Sequence, residues 1–180
     1  MSDYITTYTG RHFYPTDPDP DLIDIRDIAH ALSLICRGNG QVKTFYSVGQ
    51  HCIQCAKEAQ AGGLSYKMIL ACLLHDAGEC YLSDVPRPFK KTLNGYEELE
   101  DKILDMIYQK FLGGKLTGEE QRQLKEIDDA LLWYDLEYLL NEKQYGEAPK
   151  LHAELNYSVR AFDEVEKEYL EIFDRLKKLI

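Results

Sequence analysis

His75 and Asp76 stand directly after an unbroken apolar run, Met68-Ile69-Leu70-Ala71-Cys72-Leu73-Leu74, and Glu79 follows one helical turn later. Ionisable groups are rarely set against a buried surface unless they are paired or hold a metal. A lone His-Asp pair here would also describe a helix end reaching water, so the pair gains meaning from what accompanies it. His75 and Glu79 are four residues apart and share a face of any helix that continues through them. His51 lies upstream, in a stretch whose Val48, Cys52, Ala56 and Ala59 read as core-facing. Asp128 and Asp129 interrupt a further amphipathic stretch just before Ala130-Leu131-Leu132-Trp133. Two imidazoles and two carboxylates drawn from three helices form a donor set for one divalent cation, with Mn²⁺, Co²⁺, Zn²⁺, Ni²⁺ and Mg²⁺ all open.

The elements that would carry these groups are helical almost throughout, and no sustained strand alternation is present. The fold class expected is all-α, one domain of six or more helices around a single core. Residues 1–21 read as an irregular arm, because Pro15, Pro18 and Pro20 alternate with Asp17, Asp19 and Asp21. A first helix is expected over 24–36, stopped by Gly38-Asn39-Gly40. A second begins at the capping box Ser47-Val48-Gly49-Gln50 and ends at Gly62-Gly63, and Ser65 caps a third. Ser83-Asp84-Val85-Pro86-Arg87-Pro88-Phe89 reads as a loop. Helices follow over 95–112 and, from the box Thr117-Gly118-Glu119-Glu120, to about 142; an outer helix is expected over 150–178.

Composition excludes several function classes. A formal net charge of −10, with scattered basic residues, argues against a polynucleotide groove, which needs clustered Lys and Arg. A small anionic substrate is compatible, since a bound cation reverses the local field. No apolar stretch approaches the ~20 residues of a membrane span. The opening residues show no basic region followed by an apolar core, so a cytoplasmic location is expected. The cysteines at 36, 52, 55, 72 and 80 are odd in number and read as reduced core thiols, Cys52-Ile-Gln-Cys55 included.

At this point the chain resembles the HD-domain phosphohydrolases, whose metal motif runs H…HD…D. It is most similar to the bacterial and phage HD-domain 5′-nucleotidases in Tyr46-Ser47-Val48-Gly49-Gln50-His51, in His75-Asp76-Ala77-Gly78-Glu79, and in Ser83 to Lys90. The similarity reaches upstream through Asp27-Ile28-Ala29-His30-Ala31-Leu32-Ser33 and covers about residues 8–145. The resemblance implies His51, His75, Asp76 and Asp128 as metal ligands, with Asp129 the rival for the last place. It implies Glu79 as general acid or base, Arg37 as a contact to substrate phosphate, and Asp84 beside the nucleoside, in water activation or sugar recognition. It also implies a homodimer. Two positions depart from the family: Gly38 stands where an aromatic usually follows Arg37, and Gly40-Gln41 where phage-type relatives often have Gly-His.

The reaction so implied is release of phosphate from a nucleoside 5′-monophosphate, ribo- or deoxyribo-. A divalent cation would activate water and polarise the phosphoryl group, and Arg37 would clamp the remaining oxygens. The alternatives are hydrolysis of another phosphorylated nucleotide, such as a (p)ppGpp-like alarmone or a nucleoside triphosphate, and a catalytically inactive nucleotide-binding module. Lys90 is a candidate phosphate contact, and Tyr46 and Tyr81, beside the motif segments, are candidate base-stacking residues. His30 reads as a satisfied structural histidine, His12 and His152 as surface residues with no acidic or cysteine partner at metal spacing, and Trp133 as core or dimer interface.

Overall fold

The computed structural model describes residues 3–180 and is an all-α bundle with one small hairpin at its edge. The helices are α1 (Ile25–Leu34), α2 (Val48–Ala61), α3 (Tyr66–Leu74), α4 (Glu79–Leu82), α5 (Arg87–Lys90), α6 (Tyr96–Leu112), α7 (Gly118–Leu140) and α8 (Phe162–Lys177). Side-chain caps set several starts. Asp24 accepts from the Arg26 backbone N–H, Ser65 from that of Met68, and both Ser47/Gln50 and Thr117/Glu120 form complete capping boxes.

Helix α2 is the centre of the bundle, packed by α1, α3, α7 and α8. Its neighbour α3 is buried without a break from Met68 to Leu74, so both helices carry the core rather than cover it. Leu70, Leu73, Leu74, Ile103, Ile107 and Tyr169 are withdrawn from water in that core. Each such aliphatic side chain contributes about 1.5–3 kcal/mol by burial. Among the described residues, no helix is long and apolar enough to cross a membrane.

Four expectations are corrected. The N-terminal arm is not wholly irregular: Ile5–Thr6 pairs antiparallel with His12–Phe13 about a turn at Gly10 (φ 81°), and Pro20–Leu22 forms a 3₁₀ turn. The pairing is anchored by Phe13, buried and stacked on Tyr81 at 3.8 Å. Helix α1 ends at Leu34, before the glycines, because Ile35 turns extended and Cys36 bridges to Ser47. The proline segment contains α5, in which Pro86 takes the N-cap position and Pro88 lies in the first turn, where a missing N–H costs nothing.

The largest departure is at the C-terminal side. Residues 141–161 are not helical; they form an extended strap, and α8 starts only at Phe162. Gln50, Gln54 and Glu58, at four-residue spacing on one buried face of α2, supply its hydrogen bonds. The two amides donate to the carbonyls of Ser158 and Asn156, and the Glu58 carboxylate accepts the N–H groups of His152 and Ala153. These bonds, with the Tyr134 hydroxyl donating to the Pro149 carbonyl, tie the strap to the bundle at five backbone groups.

Candidate metal centre

The chemistry-bearing residues converge at one end of α2 and α3. His51 lies in the first turn of α2, His75 and Asp76 just past the end of α3, and Asp128 midway along α7. Helix α3 does not run on through Glu79. Between the two helices the chain tightens into i→i+3 bonds, Ala77 N to Leu74 O at 2.9 Å and Glu79 N to Asp76 O at 3.0 Å, where α4 begins. Asp76 and Glu79 thereby line one cleft, and the His75 ring turns to Asp128.

His51 Nε2 is 3.1 Å from Asp128 Oδ1, and His75 Nε2 is 3.6 Å from the same oxygen. Donor atoms of His51, Cys55, His75 and Asp128 all lie within 4.8 Å of one another, and Cys52, His75 and Asp76 form an overlapping set. The arrangement is a candidate metal centre. His75 Nδ1 donates to the Cys72 carbonyl at 2.8 Å, and a carbonyl only accepts. Nε2 is therefore the nitrogen turned to the cluster, and it is buried with no hydrogen-bond partner. Around the cleft five carboxyls, Asp76, Glu79, Asp84, Asp128 and Asp135, face three cations, Arg37, Arg87 and Lys90. An orphaned imidazole nitrogen and N, O and S donors within reach of one another fit a divalent cation.

The electrostatics show how tense this cluster is. Burial and the nearby Arg37 charge oppose protonation of His51, but Cys55, Asp128 and Asp135 outweigh them and raise its pKa well above the ordinary value. Burial likewise opposes a charged His75, and Asp76 and the thiols Cys55 and Cys52 outweigh it. Asp76 and Asp128 are held far below the usual carboxylate range: burial pushes them up, and the two histidines pull them down. Glu79 goes the other way. Burial first, then the charges of Asp76 and Asp84, push its carboxyl well above the usual carboxylate range.

The remaining sequence candidates divide. Arg37 enters the cleft, donating to Asp76 Oδ2 at 3.2 Å and to Asp135 Oδ2 at 3.3 Å, with Nη2 3.0 Å from His51 Nε2. Asp84 accepts the Gly38 N–H at 2.9 Å, which ties the proline segment to the turn after α1. Gly38 has φ 62° and lies against Val42 and Leu140, so the position that is aromatic in the resembled family here closes the backbone onto an aliphatic wall. Asp129 points out to Lys125 and Arg87, away from the histidines. Lys90 borders the cleft but is held by both oxygens of Glu100, at 2.6 and 2.8 Å.

Tyr46 and Tyr81 are corrected as stacking residues. Tyr46 is buried beside Tyr157 and Tyr81 is stacked on Phe13, and neither lines the cleft. His152 is exposed as expected, and its Nδ1 lies 2.8 Å from the carboxylate of Glu58, 94 residues away in the chain. His30 is satisfied as expected, bonded to Glu166 at 2.9 Å and stacked on Tyr8.

Two residues were missed. Cys55 reaches within 3.5 Å of His51 Nε2, and its signal was its place four residues after that histidine on one helix face. Asp135 is 3.1 Å from His51 Nδ1 and buried; its signal was the seven-residue spacing from Asp128, two turns along α7.

The cleft holds about 380 Å³ and has two unlike walls. Arg37, Asp76, Glu79, Asp84 and Asp128 form the polar one, and Val42, Leu132, Leu136 and Leu140 the aliphatic one.

No family model matches the chain. It is similar to YfdR, an uncharacterised protein of Escherichia coli K12, with 39% identity over 108 residues, 60% of this chain and 58% of that one. It is also similar to an uncharacterised protein of Rhodobacter capsulatus, with 36% identity over 126 residues, 67% of this chain and 64% of that one. The matches span less than two thirds of the length of either relative.

Proposed function

We propose that the protein is a metal-dependent phosphohydrolase of the HD-domain type that releases phosphate from nucleoside 5′-monophosphates. The observation that carries the reading is the cluster of His51, His75 and Asp128, of which Asp128 also lines a cleft together with Arg37 and the buried Glu79. His51, His75, Asp76 and Asp128 would hold the cation, and Cys55 lies beside them. The cation supplies Lewis-acid charge for a phosphoryl oxygen and for the attacking water.

The chain's own residues supply the rest. Arg37 is anchored through Nε and Nη1 by Asp135 and Asp76, which presets its guanidinium to take phosphoryl oxygens. Water oxygen bonds to phosphorus as the bond to the 5′-oxygen breaks. Glu79, whose burial and acidic neighbours favour the protonated carboxyl, delivers a proton to the departing oxygen. Asp84, held at the rim by the Gly38 N–H, faces the sugar. The aliphatic side of the cleft accepts the nucleoside without a stacking ring.

Charge favours a monophosphate over a polyphosphate. Lys90 is committed to Glu100, which leaves Arg37 and the exposed Arg87 as the cations bordering the cleft. Phosphate release from a panel of ribo- and deoxyribonucleoside mono-, di- and triphosphates and (p)ppGpp tests the reading. EDTA-sensitive release from monophosphates alone supports it. Release from triphosphates or (p)ppGpp alone, or tight nucleotide binding without turnover, replaces it with one of the alternatives.

A further inference from the structure

We propose that Asp135 is a positioning residue that sets His51 and Arg37 with a single carboxylate, so that the metal and phosphate sites form or fail together. The inference rests on the metal-site reading above and adds a residue outside the proposed ligand set. Asp128 and Asp135 lie two turns apart on one face of α7 and approach opposite nitrogens of one imidazole. Asp128 Oδ1 is 3.1 Å from His51 Nε2, and Asp135 Oδ2 is 3.1 Å from His51 Nδ1. The Nδ1 contact is at ion-pair distance without hydrogen-bond alignment, so it acts chiefly through charge and through the choice of tautomer. A carboxylate at Nδ1 keeps the proton there and leaves Nε2 to a cation; such partners of metal-bound histidines are worth about 10–100-fold in metal affinity.

The same oxygen accepts from Arg37 Nε at 3.3 Å, and the second oxygen, Oδ1, accepts the Tyr157 hydroxyl at 2.9 Å. Asp135 is 3% exposed, so each of its contacts is made out of water. Tyr157 belongs to the strap of residues 141–161, and the strap is bonded to α2 through Gln50, Gln54 and Glu58. The strap therefore reaches the site through one hydroxyl. Removing that hydroxyl frees the carboxylate to turn without deleting its charge.

The test uses Asp135→Asn, Asp135→Ala and Tyr157→Phe in the full chain, with Co²⁺ as the probe metal. Affinity is measured by chelator competition, and inorganic phosphate binding to the cobalt-loaded protein by titration. The expected losses in Co²⁺ affinity are about 10–100-fold for Asp135→Ala, less for Asp135→Asn and a few-fold for Tyr157→Phe, with phosphate binding weakened in the same order. Proton NMR of the cobalt-loaded protein adds a signature that a merely structural residue would not move. The shifted exchangeable signal of His51 Nδ1–H changes in the Asp135 variants, while that of His75 Nδ1–H, held by the Cys72 carbonyl, stays in place. Folded Asp135→Asn and Tyr157→Phe proteins with unchanged affinity and an unchanged His51 signal would overturn the inference and leave the metal site standing. A wild-type protein that takes up no Co²⁺, Mn²⁺ or Zn²⁺ would overturn both.

Discussion

Asp128 and Asp129 are consecutive on α7 and point in different directions: Asp128 Oδ1 lies 3.1 Å from His51 Nε2, whereas Asp129 Oδ2 lies 2.6 Å from the exposed Lys125. The dipeptide alone offered two candidates, and the helix phase turns only Asp128 toward the histidines. Asp128→Ala is expected to cost the protein its metal and at least about 10²-fold in turnover, since an emptied ligand position also leaves two buried imidazoles facing each other. Asp129→Ala removes a solvated i,i+4 pair and should stay within about twofold of wild type, with under ~0.5 kcal/mol lost in stability. Metal content and phosphate release of the two purified variants check the pair.

Glu79 differs from Asp76 and Asp128 in that its surroundings favour its protonated form. Glu79→Gln keeps the shape and cannot deliver a proton. The expected outcome is a fall in kcat of about 10²–10⁴-fold with metal content unchanged. A Glu79→Gln protein that turned over at the wild-type rate with metal bound would remove Glu79 from the acid role.

Ser83 sits at φ 73°, ψ 160°, a conformation that side-chain-bearing residues rarely adopt and that costs about 1–3 kcal/mol. It directly precedes Asp84 and sets the direction in which that carboxylate leaves α4. Ser83→Gly should raise the thermal midpoint by a few degrees, while the looser backbone lowers kcat through a less fixed Asp84. Calorimetry and steady-state kinetics on the same preparation read the two effects.

A pH effect is expected far from the site. Asp24 caps α1 and is held at about 2, first by its hydrogen bond from the Arg26 side chain and then by the charges of Arg26 and Arg11, against some burial. A depressed carboxylate contributes stability above its unfolded-state pKa, near 3.8, and the contribution is lost as the pH falls through about 2. Asp24→Ala should cost about 1 kcal/mol at neutral pH and flatten the stability profile between those limits, and Asp24→Asn should keep most of the cap. Denaturant unfolding at a series of pH values checks both.

What the sequence made legible was local chemistry. Ser47/Gln50 and Thr117/Glu120 announced helix starts, and both boxes are formed. The apolar run 68–74 announced a buried helix ending at a polar pair. What escaped depended on partners distant in the chain. The 141–161 strap is tied down at its C-terminal half by Gln50, Gln54 and Glu58 from about 100 residues away, and no local pattern within the strap records that. Tyr46 carried the right motif but was drawn into the core by Tyr157, another strap residue. Cys55 and Asp135 were readable as helix-face neighbours of His51 and Asp128, yet only the fold brings the two faces together.

The most direct measurement of the central claim is a side-by-side assay of wild type, His75→Ala and Asp128→Ala, metal-stripped and then titrated with Mn²⁺ or Co²⁺ against a nucleoside 5′-monophosphate. The account predicts metal uptake and EDTA-reversible phosphate release for wild type, and neither for the two variants, which should remain folded. Equal phosphate release by all three, or release from wild type that ignores both metal and chelator, would contradict it.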